Sequence, residues 1–95
     1  MGVIDEAVAA LSAKFDGGFD GGTVKFVIED EGSVVVDGSG VSAGDGEADV
    51  TLTSDAETFQ GLLSGDVNPT SAFMTGKLKL DGDMGTAMRL GSVLG

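Results

Sequence analysis

The chain has 95 residues and a mass of 9.4 kDa, with 16 acidic against 5 basic side chains and a formal net charge of -11, which fits one acidic domain over residues 1–95 and argues against a nucleic-acid partner. His and Cys are both absent, which excludes zinc sites built on them, thiol nucleophiles, disulfides and Ser-His catalysis. At 41% apolar residues, and with roughly 60% of the open-chain surface buried on folding at this size, one modest core is expected.

Val3, Ile4, Ala7, Val8, Leu11 and Phe15 recur at helical spacing and predict an amphipathic helix stopped by Gly17-Gly18. Thr23 to Glu29 puts Val24, Phe26 and Ile28 on one face of a strand. Asp30-Glu31-Gly32 turns the chain into a second β-branched strand over 33–36, and the Gly- and Ser-rich stretch 38–46 reads as a loop. Ala48 to Thr53 alternates strictly, with Ala48, Val50 and Leu52 inward. Ser54 with Glu57 three residues on has the pattern of a capping box, opening a helix whose Phe59, Leu62 and Leu63 share a face and which Gly65 stops. Asn68-Pro69 starts a short helix carrying Ala72, Phe73 and Met74. Lys77 to Asp81 alternates as a strand, and Asp83 caps a last helix bearing Met84, Ala87, Met88, Leu90 and Leu94. The expected order is α-β-β-β-α-α-β-α, an α+β layer of helices on a largely antiparallel sheet.

Three motifs invite chemistry and each has a plainer explanation. Gly38-Ser39-Gly40-Val41-Ser42-Ala43 fits a dinucleotide fingerprint, but no helix follows to receive the pyrophosphate. Asp45, Glu47 and Asp49 alternate like calcium-loop ligands, yet the required later Gly and Glu are Val50 and Ala56. Asp81 and Asp83 form a carboxylate pair that strand-end and cap chemistry explains without acid-base catalysis. Among the apolar residues, Phe59, Leu62, Leu63, Phe73, Met74, Met84 and Met88 fit either an ordinary core or the lining of a ligand cavity.

Asp49-Val50-Thr51-Leu52-Thr53, the Gly65-Asp66-Val67-Asn68-Pro69 turn and the run from Ala72-Phe73-Met74-Thr75-Gly76 through Lys77-Leu78-Lys79-Leu80-Asp81-Gly82-Asp83 strongly resemble the sterol carrier protein 2 family. The resemblance covers nearly the whole chain and is most specific over residues 65–83. It implies a five-stranded sheet covered by helices around an apolar tunnel for sterols, fatty acids, acyl-CoA esters or phospholipids, with no enzymatic step and no cofactor. By the resemblance, Phe59, Leu62, Leu63, Phe73, Met74, Met84, Met88 and Leu94 line that tunnel. The residues give four strands, so the fifth is expected within 39–44 or in a split of the first hairpin.

The chain departs from fuller members by compression around residues 30–47, by lacking Trp or Tyr there, and by ending in Ser92-Val93-Leu94-Gly95, which is not a peroxisomal signal. The resulting expectation is a stand-alone, cytoplasmic, non-enzymatic lipid-binding and lipid-transfer domain with a small apolar lipid ligand and at most weak, transient membrane contact. The alternative is an interaction or accessory module with a collapsed tunnel, working with a partner enzyme.

Overall fold

The computed structural model describes residues 2–15, 18, 19 and 21–94, the last four of these by backbone only. Gly17 of the expected helix stop lies outside the described residues, as does Gly95. The element order is α1 (Val3–Lys14), β1 (Val24–Ile28), β2 (Gly32–Asp37), β3 (Gly40–Ala43), β4 (Val50–Ser54), α2 (Ala56–Ser64), α3 (Pro69–Met74), β5 (Leu78–Gly82) and α4 (Met84–Leu94).

The five strands form one sheet in the order β3-β2-β1-β4-β5. Three of its pairings are antiparallel, but β1 and β4 run parallel, so the sheet is mixed. The expected fifth strand is β3, inside the segment that composition marked as a loop. Its Val41 stands opposite Val36, and Asp37 and Gly40 close the turn before it. Glycine is needed there, because Gly40 takes a φ of 133°, which side-chain-bearing residues rarely adopt.

Register explains why a core forms on one face only. Val36, Val24 and Val50 align across three strands, and Val34, Phe26, Leu52 and Leu80 align across four. Side chains alternate along each strand, so these rows point the same way. Val24, Phe26, Val34, Val36, Val50 and Leu52 are all buried, whereas Lys25, Val27, Val35, Thr51 and Thr53 on the other face are only partly covered. The helices close the apolar face. α1 lies over β2 and β3 through Ala7 and Leu11, while α3 packs on β5 and α4 on β4. Two edge-on ring pairs knit the layers: Phe26 on Phe59 at 5.5 Å and Phe15 on Phe19 at 5.4 Å between centroids.

The capping expectation shifts by one residue. Ser54 closes β4, and the N-cap of α2 is Asp55, whose carboxylate accepts the Thr58 N–H at 2.7 Å. A strand residue pairing with Leu78 of β5 has no freedom to turn into a cap, so the next Asx-type residue takes the role. Asn68 caps α3 as expected, accepting the N–H groups of Thr70 and Ser71. Asp83 caps α4 by accepting both the N–H and the hydroxyl of Thr86.

Candidate functional site

Where α1 passes alongside α2, their facing residues leave an open apolar groove of about 330 Å³. Val3, Glu6 and Ala10 form one wall, and Phe59, Gln60, Leu63 and Ser64 form the other. The spacing comes from helix geometry: positions 3, 6 and 10 on α1 and 59, 60, 63 and 64 on α2 each fall along one face. The volume lies at the low end for ligand pockets, about 300 to 1,000 Å³, and suits a slender ligand. Polar groups on the lining are Glu6, Gln60 and Ser64, with no cation among the lining residues.

The eight residues expected around one tunnel fall into different places. Phe59 and Leu63 line the groove, and Leu62 lies in the core beneath it at 1% exposure. Phe73, Met74, Met84 and Met88 are on the outer surfaces of α3 and α4, and none of them lines the groove. The reason is the choice of buried face: α3 docks on β5 through Ala72, and α4 docks through Thr86, Ala87 and Leu90. Met84 and Met88 do share a helix face, four residues apart, but it is the outward one. The Leu94 side chain lies outside the described residues. The groove residues Val3, Glu6, Ala10, Gln60 and Ser64 had no signal of their own in the sequence, because pairing α1 with α2 is a tertiary event.

Asp45, Asp49 and Asp83 of the acidic motifs have structural partners. Asp45 pairs with Lys25 at 2.9 Å, and Asp49 accepts the Thr23 N–H at 2.9 Å. Among the described residues no cluster of three or more acidic groups could hold a metal ion. The Thr86 hydroxyl, then its N–H, holds the Asp83 carboxyl below the usual aspartate value. Asp55 is lowered by the Thr58 N–H and then its hydroxyl, and Asp37 by the hydroxyl and N–H of Ser39. All three shifts come from caps and turns that hydrogen-bond the ionised form. The Gly38 to Ala43 motif forms the β2–β3 turn and strand β3, where no helix N-terminus faces the glycines.

A five-stranded sheet with helices over its apolar face, and a groove between two of those helices, is the architecture that the sterol-carrier resemblance implies. The sequence pattern of the SCP-2 sterol transfer family matches residues 5–95, and the chain belongs to that family. It is 41% identical over 80 residues to human Sterol carrier protein 2, covering 74% of this chain and 15% of that protein. Against Hydroxysteroid dehydrogenase-like protein 2 of Xenopus tropicalis it is 47% identical over 49 residues, or 52% of this chain and 12% of that one. The chain therefore spans a small part of these larger relatives. Among solved structures, Sterol Carrier Protein 2 Like 2 of Aedes aegypti superposes with a TM-score of 0.79 at 21% identity, covering 96% and 95% of the two chains. Sterol Carrier Protein-2 of the same mosquito, in complex with palmitate, superposes at 0.78 with 18% identity over 97% and 94%.

Proposed function

We propose that the chain holds one lipid by its apolar tail in the groove between α1 and α2 and passes it on without a chemical step. The observation that carries this reading is the groove itself, an open, mostly apolar cleft in a member of the SCP-2 sterol transfer family. Affinity comes from removing acyl surface from water, about 25 cal/mol per Å². The mosquito neighbour's complex with palmitate supports an acyl chain as the ligand class. Glu6 is the single charged group on the lining, so a carboxylate head belongs in solvent, away from it, while a neutral head is accepted more readily. In Hydroxysteroid dehydrogenase-like protein 2 of Xenopus tropicalis the matching segment is part of a larger, dehydrogenase-like protein, which supports handover to a partner enzyme as one destination of the ligand. In the described residues no helix is long and apolar enough to cross a membrane.

The test is equilibrium binding of a fluorescent fatty acid and its displacement by palmitate. Leu63→Glu, which puts a second carboxylate on the groove wall, is expected to weaken binding by about tenfold or more, on the scale of desolvating a charge against an apolar chain. Unchanged binding by a folded Leu63→Glu variant contradicts the groove as the site.

A further inference from the structure

Methionine is the one readily oxidised side chain in this protein: the sequence has four Met and no Cys, Trp, Tyr or His. Met74 is 79% exposed, Met88 73% and Met84 55%, while Met1 lies outside the described residues. The rest of the described structure keeps thioethers out of every packed place. Its core is built of Ala, Val, Leu, Ile and Phe, with Ser54, Thr58 and Thr86, and no Met is among the residues lining the groove.

Methionine commonly serves as an adaptable filler of irregular gaps in a core. At these exposures Met74, Met84 and Met88 fill none, since α3 docks through Ala72 and α4 through Thr86, Ala87 and Leu90. The distinction matters for oxidation. A buried Met that becomes a sulfoxide puts a polar group into apolar surroundings and disrupts the packing around it. A water-facing Met gains a group that water solvates, so the same reaction leaves the packing beneath it untouched. Each of the three side chains meets this condition by itself, through its own exposure.

We infer that Met74, Met84 and Met88 are reversible sulfoxidation sites, at which hydroperoxides modify the outer surfaces of α3 and α4 while the core and the groove stay intact. The thioether sulfur attacks one oxygen of the hydroperoxide. An S–O bond forms as the O–O bond breaks, the proton on the transferred oxygen passes to the departing one, and hydrogen peroxide leaves as water. Sulfur is oxidised by two electrons and the peroxide is reduced by two. Methionine sulfoxide reductases reverse the change, one enzyme for each sulfoxide epimer, and the exposure that admits the peroxide also admits them. The outcome is a protein that takes up oxidant on its surface and keeps its fold. The inference goes beyond the lipid-transfer reading and stands without it.

The test treats the full chain with hydrogen peroxide, folded and in urea, and follows oxygen uptake at each Met by peptide mass spectrometry. Folded rates at Met74, Met84 and Met88 are expected within about threefold of the urea rates, because susceptibility follows exposure. The oxidised protein is expected to melt at the midpoint of the untreated one and to elute earlier from a hydrophobic-interaction column. Both sulfoxide reductases with dithiothreitol should remove the added oxygens and restore the elution. Met74→Leu, Met84→Leu and Met88→Leu combined should melt like the parent and show no peroxide-dependent change in elution. Folded rates about tenfold or more below the urea rates show the sulfurs to be shielded and overturn the inference. A peroxide-lowered melt in the parent but not in the Leu variant shows that these side chains pack, and overturns it too. Displacement of a fluorescent fatty acid should be equal before and after oxidation, and affinity lost only on oxidation assigns the methionines to the ligand site and refutes the proposal. Absence of fatty-acid binding before any peroxide is added counts against the groove alone, since rates, melt and elution test the methionines independently.

Discussion

Replacing Phe59 by Ala probes the point where core and groove meet. The ring is 1% exposed, stacks edge-on against Phe26 at 5.5 Å and 66°, and forms part of the groove wall. Phe→Ala in a core costs about 3 to 5 kcal/mol, the sum of lost transfer energy and the void left behind. A chain of this length has about 5 to 14 kcal/mol in total, so the variant is expected to lose at least about a fifth of its stability. Phe59→Leu keeps most of the apolar volume and loses chiefly the ring pair, for an expected cost of about 1 to 2 kcal/mol. The assay is urea unfolding followed by circular dichroism, with midpoints compared at equal slope. A double-mutant cycle with Phe26→Leu should return a coupling of about 0.5 to 1.5 kcal/mol for the ring pair. A Phe59→Ala variant within 1 kcal/mol of the parent would refute the reasoning, because it would show that the α2 roof is not held down by this side chain.

Gly61→Ala should destabilise despite alanine's better helix propensity, since the added Cβ runs into Val67 Cγ2 and Val67 is tied to Gly61 by an N–H to carbonyl bond of 3.0 Å; Val67→Ala should restore the loss in the same melt. The lowered carboxyls of Asp55 and Asp83 contribute stability that is fully present above the unfolded aspartate value and disappears as pH falls through their folded values, so the acid limb below about pH 4 should be shallower in an Asp55→Asn and Asp83→Asn variant, whose caps survive but do not titrate. In a series from octanoate to stearate, a methylene half-buried in an open groove contributes about 0.4 kcal/mol, so affinity should rise about twofold per methylene and level off once the groove is filled. Glu6→Gln should raise fatty-acid affinity about threefold at low salt, with a smaller gain at high salt and no gain for a neutral monoacylglycerol.

Elements whose residues alternate or repeat cleanly were legible. Val24, Phe26 and Ile28 show a period of two, and Asn68-Pro69 and Asp83 mark helix starts by their own chemistry. Strand β3 was obscured because Gly40, Ser42 and Ala43 carry little apolar signal, and the strand exists by pairing with β2 at the sheet edge. The parallel pairing of β1 with β4 could not be read at all, since it is fixed by where β2, β3 and the loop to residue 49 lead the chain. On α4, helical spacing put Met84 and Met88 on one face but could not say which face docks, and the buried set is Thr86, Ala87 and Leu90. Family-level function was legible from residues 65–83 and agrees with the family match over 5–95, whereas the groove depends on the meeting of α1 and α2.

The central claim is that an acyl chain lies between α1 and α2. Titrating the 15N-labelled protein with palmitate and following backbone amides tests it directly. The account predicts saturable shifts concentrated at Val3, Glu6, Ala10, Gln60, Leu63 and Ser64, with the amides of Met74 and Met84 little changed. Saturable shifts confined to α3 and α4, or no saturable shifts with any fatty acid in the series, would contradict it.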